Sequence, residues 1–140
     1  MKKKILLTGA GGRLGSYLRE PLSNICSTLI STDIKKDIGK LNENEKYFSA
    51  DLSNFDQICD LTKDVSLICH FGALVDEVPF NDMLGANFIG SYNIWEAARQ
   101  NKCTRVVYAS SIHAVGMYKR TKILRPKTCL LYTSPSPRDP

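Results

Sequence analysis

Ile5-Leu6-Leu7-Thr8-Gly9-Ala10-Gly11-Gly12-Arg13-Leu14-Gly15 sets a short apolar run directly against a glycine-rich octet, and Ser16-Tyr17-Leu18-Arg19-Glu20 continues in helical register. The pattern predicts a strand, a tight turn and a helix N-terminus. The first turn of a helix has unpaired backbone N–H groups and the positive end of its dipole, so a phosphate placed there is held without a basic side chain. Gly9 permits the tight turn, Gly12 removes the side chain that would block a diphosphate, and Gly15 lets the helix lie close to the strand. The stretch predicts a cradle for a dinucleotide.

Context sharpens this reading. A second apolar run, Thr28-Leu29-Ile30-Ser31-Thr32, ends at Asp33, eighteen residues beyond Gly15. A carboxylate at that point can accept both hydroxyl hydrogens of an adenosine ribose. A P-loop is excluded because Gly12 is followed by Arg13-Leu14 rather than by Gly-Lys-Ser/Thr, and the strict flavin and dehydrogenase form would need glycine where Leu14 stands.

Strand-like runs recur at Lys4–Thr8, Thr28–Thr32, Tyr47–Ala50, Val65–His70 and Arg105–Ser110, with helix candidates near Leu14–Leu22, Phe55–Thr62 and Asp82–Asn101. The alternation predicts an α/β fold, a doubly wound parallel sheet with helices on both faces. In the third helix Leu84, Phe88, Tyr92, Trp95 and Ala98 recur at three- and four-residue steps and form one apolar stripe.

Composition bounds the rest. At 140 residues and 43% apolar content the chain is short for such a sheet plus a substrate region, so it is expected to be incomplete. No stretch approaches the roughly 18 to 20 apolar residues of a membrane span, which points to a cytoplasmic protein without a membrane partner. Cys26, Cys59, Cys69, Cys103 and Cys129 are odd in number and lack Cys-x-x-Cys spacing, arguing against zinc and against a disulfide framework. The formal charge of +5 does not indicate nucleic acid: residues 1–116 hold 13 basic and 13 acidic side chains, and the whole excess falls in residues 117–140. Residues 1–125 are expected to form the nucleotide-binding domain. The proline-rich stretch 126–140 is expected to be a disordered, non-native tail, and it resembles translated adapter sequence.

Four further signals follow, three at strand ends, where a doubly wound sheet binds its ligand, and one, Asn87, on the third helix. Asp51-Leu52 can meet an adenine, the carboxylate accepting its amino group and the leucine packing on the ring; a helix-capping aspartate is the alternative. Phe71, Gly72 and Ala73 follow His70 and admit a ribose beside the main chain. Asn87 either contacts the coenzyme or ties two elements together. Ser110 and Ser111 close the fifth strand, where a hydroxyl can hydrogen-bond a substrate oxygen as charge develops.

Taken together, Thr8-Gly-x-x-Gly-x-x-Gly15, Asp33, Asp51-Leu52, His70-Phe71-Gly72-Ala73, Asn87-Phe88-Ile89-Gly90 and Ser110-Ser111 resemble the extended short-chain dehydrogenase/reductases, the NAD-dependent sugar epimerases and dehydratases with a Rossmann fold. Val78-Pro79-Phe80, Tyr92-Asn93-Ile94-Trp95-Glu96-Ala97-Ala98-Arg99 and Ser110-Ser111-Ile112-His113 are most similar to the uronate dehydrogenase group, which oxidises the C1 hydroxyl of a hexuronic acid to a lactone. The resemblance implies NAD as cofactor, with Gly9, Gly12, Arg13, Leu14 and Gly15 at the diphosphate and Asp33 at the ribose. It makes Ser111 the catalytic serine, with Ser110 and His113 beside a sugar or sugar-acid substrate. Ile112 and Val75 depart from that group, which tends to have asparagine and serine near these places.

The family's general base is the tyrosine of a Tyr-x-x-x-Lys pair, its phenol made more acidic by the lysine. Tyr118-Lys119-Arg120-Thr121-Lys122 matches literally, but it lies only seven residues beyond Ser111, whereas the resemblance places the pair some twenty or more residues on. The chain is therefore expected to hold the coenzyme half of the site without the base, and to be inactive by itself. Rival readings are a nucleotide-sugar epimerase or dehydratase and a non-catalytic NAD sensor. A methyltransferase is disfavoured because its nucleoside has no diphosphate for Gly12 to admit. Asp33 predicts NAD over NADP, with Arg13, Lys35 and Lys36 as the opposing signal. A homo-oligomer of a full-length parent is left open.

Overall fold

The computed structural model describes residues 3–111. Met1–Val106 form one compact unit, and a second begins at Val107. Residues 112–140 lie outside the described part, and with them Ile112, His113, Tyr118, Lys122, Cys129 and the expected tail 126–140.

Five strands form one sheet: β1 (Lys4–Thr8), β2 (Thr28–Asp33), β3 (Glu45–Ser49), β4 (Leu67–His70) and β5 (Arg105–Tyr108), in the spatial order β3-β2-β1-β4-β5. The pairings of β1 with β2, β1 with β4 and β2 with β3 are parallel. The doubly wound parallel sheet expected from the sequence is present. Ile5, Leu6, Leu7 and Thr8 are all buried, the continuous run of a central strand covered on both faces. Register places Leu6 opposite both Ile30 and Ile68. This row across three strands packs with Ile58 of helix α2 (Phe55–Leu61) and with Ile94, Ala97 and Ala98 of helix α4 (Gly90–Gln100).

The third helix differs from its expected form. It consists of α3 (Phe80–Met83), a π-helical segment (Leu84–Ile89) and α4. Its buried face is Gly90, Asn93, Ile94, Ala97 and Ala98, so of the predicted stripe only Ala98 faces the core, while Phe88, Tyr92 and Trp95 are exposed. Periodicity found an apolar stripe, but the face that packs against α2 and the Leu6, Ile30 and Ile68 row centres on Ile94 and Ala97, with Ala98 at the edge it shares with the stripe. The widened turn coincides with two close contacts: Asn87 bonds to Leu74, and a Cβ on Gly90 would stand 2.7 Å from Leu52 Cβ.

Between β2 and β3 the chain crosses without a helix. Arg19, on α1 (Arg13–Ile25), organises this connection. Its Nη1 donates to Ile38 O (2.8 Å), its Nη2 to Lys40 O (2.6 Å) and its Nε to Glu45 Oε1 (2.7 Å). Glu45 also accepts from Ser31 Oγ and from the Asn42 main-chain and side-chain N–H groups. Burial works against the Glu45 charge, yet Arg19, Asn42 and Ser31 outweigh it and hold the carboxyl below its usual range.

Candidate coenzyme site

The carboxyl ends of β1 to β4 converge on a cavity of about 650 Å³, lined by Gly9 and Gly12, by residues 32–35, 50–53 and 71–76, and by Asp82, Gly85 and Ala86. It lies where strand order reverses between β1 and β4, the place where open parallel sheets bind ligands. A more open cavity of about 730 Å³ runs along the sheet beside α2 and touches neither the glycine turn nor Asp33.

Each glycine of the octet has its own reason. Gly9 has φ +69°, and a Cβ there would meet the Phe71 and Gly72 main chain at 2.7 Å, so this turn presses directly on the end of β4. A Cβ on Gly15 would stand 2.0 Å from Gly9 O, which accounts for the close seating of α1. A Cβ on Gly12 would meet only Gly9 O, at 3.1 Å, so packing within the protein leaves the cavity side of this residue open. Gly12 also makes the N-cap of α1 with no side-chain hydrogen bond, and the first turn contains no acidic residue. A bare, uncapped helix start facing open space fits an incoming diphosphate.

Asp33 is fixed from two sides. Its Oδ2 accepts the Gly11 N–H (2.9 Å) and its Oδ1 the Lys35 N–H (3.2 Å). Each oxygen retains a lone pair for a further donor, as a ribose diol requires. Asp51 Oδ1 accepts both the N–H and the hydroxyl of Ser53, each at 2.8 Å, and the cap of α2 is Asn54 instead, so the helix-cap alternative for Asp51 does not hold. Leu52 lies beside Gly72, whose Cβ would be 2.8 Å from Leu52 Cδ1.

The wall after β4 is tied down by two side chains. Thr8 Oγ1 accepts the N–H groups of Phe71 (3.2 Å) and Gly72 (3.1 Å) and lies 2.7 Å from His70 Nδ1. With both lone pairs taken, the hydroxyl hydrogen points to Nδ1, so His70 is the neutral tautomer with its proton on Nε2. Burial pushes its pKa from 6.5 down to about 4. Further along, Asn87 Oδ1 accepts the Leu74 N–H and its Nδ2 donates to Leu74 O, both at 2.8 Å. The Asn87 amide thus ties the turn after β4 to the π-helical segment.

The structure brings Gly9, Gly12, Asp33, Asp51, Leu52, Phe71, Gly72 and Ala73 to one cavity. Arg13, Leu14 and Gly15 form the adjoining first turn of α1. Ser110 is half-buried and Ser111 exposed, both beyond β5 in the second unit. Sequence reasoning missed the structural reach of Lys35 and the place of Ile34 on the cavity wall; the position of both directly after Asp33 was the available signal.

Comparison with known proteins follows the same lines. A profile of the NAD dependent epimerase/dehydratase family matches residues 5–140. The chain belongs to that family. The uronate dehydrogenase of Pseudomonas syringae pv. tomato is 39% identical over 121 residues, covering 86% of this chain and 44% of its own length. That of Agrobacterium fabrum is 36% identical over 124 residues, covering 89% and 46%. Among solved structures, the glucuronic acid dehydrogenase of Chromohalobacter salexigens superposes with a TM-score of 0.80 at 40% identity, covering 86% of this chain and 45% of the other. A mutant uronate dehydrogenase of Agrobacterium tumefaciens complexed with NAD superposes at 0.78 with 35% identity, covering 83% and 43%. The chain therefore spans less than half the length of these relatives. The family description is NAD dependent, in line with the coenzyme expected from the glycine turn and Asp33, and the mutant Agrobacterium tumefaciens relative is complexed with NAD. Among the described residues no helix is long and apolar enough to cross a membrane.

Proposed function

We propose that this chain supplies the coenzyme-binding part of a cytoplasmic NAD-dependent dehydrogenase that oxidises the C1 hydroxyl of a hexuronic acid to a lactone. The observation that supports this reading best is the pairing of an uncapped α1 N-terminus with the doubly held Asp33 on one cavity. The N–H groups of Arg13 and Leu14 would take the diphosphate, and Asp33 the adenosine ribose. Asp51 and Leu52 would flank the adenine, while Phe71, Gly72 and Ala73 would line the second ribose. Bound NAD would supply the hydride acceptor. Ser111 would orient the reacting hydroxyl and stabilise its developing charge, with Ser110 and His113 bordering the sugar.

Calorimetric titration tests this: the 140-residue chain is expected to bind NAD more tightly than NADP, because the Asp33 carboxylate repels a 2′-phosphate. Absence of heat with both coenzymes would overturn the reading. In a longer form of the enzyme, galacturonate or glucuronate is expected to support NAD reduction; turnover of nucleotide-linked sugars alone would favour the epimerase or dehydratase alternative.

A further inference from the structure

The segment between β2 and β3 closes over the glycine turn. Lys35 Nζ donates to Gly11 O at 2.6 Å, and the Lys35 stem lies so close that a Cβ on Gly11 would stand 3.0 Å from its Cδ; Ile38 Cγ2 would be at 2.8 Å. Lys35 is itself held at both ends of its main chain. Its N–H donates to Asp33 Oδ1, and its carbonyl accepts the Tyr47 hydroxyl. Ile38 is held by Arg19 through its carbonyl. Gly11 is consequently gripped through both of its main-chain groups, its N–H by Asp33 and its C=O by Lys35.

Resting on the NAD reading above, we infer that Lys35 is a positioning residue for the coenzyme: its ammonium, tethered to the Gly11 carbonyl, fixes the glycine turn so that the amides of the α1 start are aimed before the dinucleotide arrives. A turn of three glycines in four positions has a large conformational freedom that must be lost on binding unless it is lost beforehand. Arg19 and Tyr47 hold the segment that presents Lys35, and Lys35 transmits this order to the turn.

Four versions of the 140-residue chain test the inference: wild type, Lys35→Met, Lys35→Arg and the charge control Lys36→Met. Lys35→Met is expected to weaken NAD and NADP by the same factor, about three- to fivefold, since an exposed charge-assisted hydrogen bond is lost. In the coenzyme-free protein it is expected to speed hydrogen exchange at the Gly11 and Gly12 amides. Lys35→Arg should restore both properties, and Lys36→Met should change neither. Loss of NADP affinity alone, unchanged exchange at Gly11 and Gly12, or equal effects from Lys36→Met would overturn it. If the wild type bound neither coenzyme, the functional reading would fail, while the exchange measurement on the free protein would still decide the tether.

Discussion

Acidification should destabilise this protein through one imidazole. His70 is 3% exposed, its Nδ1 receives the Thr8 hydroxyl hydrogen, and burial holds its pKa at about 4 against 6.5 for an ordinary histidine. Between those two values the unfolded chain takes up a proton that the folded chain refuses. Stability is therefore complete above about pH 6.5, is lost as the pH falls toward 4, and stops changing from this source below that. From pH 7.5 to 4.5 the linkage amounts to about 2 to 3 kcal/mol. That is a large share of the roughly 5 to 15 kcal/mol available to a typical domain. Urea unfolding of the full chain at pH 7.5, 6.0 and 4.5, followed by the fluorescence of its single tryptophan, Trp95, measures the loss. His70→Asn keeps an acceptor for Thr8 but does not titrate, so it separates this contribution from Glu45, whose lowered carboxyl pKa also removes stability in acid. The wild type should lose about 2 to 3 kcal/mol more than His70→Asn over the interval. Parallel losses in the two proteins would refute the assignment of His70 as the acid-sensitive group.

Other substitutions probe the scaffold and the site. Gly15→Ala places a methyl group 2.0 Å from Gly9 O and must push α1 away from the turn; stability is expected to fall by at least about 2 kcal/mol, and an unchanged thermal midpoint would contradict the contact. Glu45→Gln leaves the Arg19 guanidinium buried without its counter-charge, costing about 3 kcal/mol or more in denaturant titrations. Asp33→Ala should weaken NAD binding by tenfold or more, on the order of one to two charge-assisted hydrogen bonds, and equal affinity by calorimetry would count against its role at the ribose. In a longer form of the enzyme, Ser111→Ala should lower kcat by about a hundredfold with little change in NAD affinity, and full turnover would remove the serine from the chemistry.

Local signals made much of this molecule legible before its structure. The run Ile5-Leu6-Leu7, the spacing of Gly9, Gly12 and Gly15, and Asp33 at the end of β2 each depend on a few consecutive residues. Their conformations follow from sterics and burial along a single strand or turn, so the parallel α/β sheet and its glycine turn were readable in order. Only the tertiary structure decided which side chains hold that turn and the neighbouring strand ends in place. Thr8 meets His70 across 62 residues, Lys35 meets Gly11 across 24, and Asn87 meets Leu74 through a π-helical turn. It also decided that α4 seats itself by Ala97 and Ala98 and leaves Tyr92 and Trp95 exposed. Hydrophobic periodicity records that a helix has an apolar side, but close approach to a neighbouring element, here α2, is governed by side-chain volume at the contact. Hydrogen bonds between distant segments leave no period in the sequence, because their geometry exists only once the strands are in register.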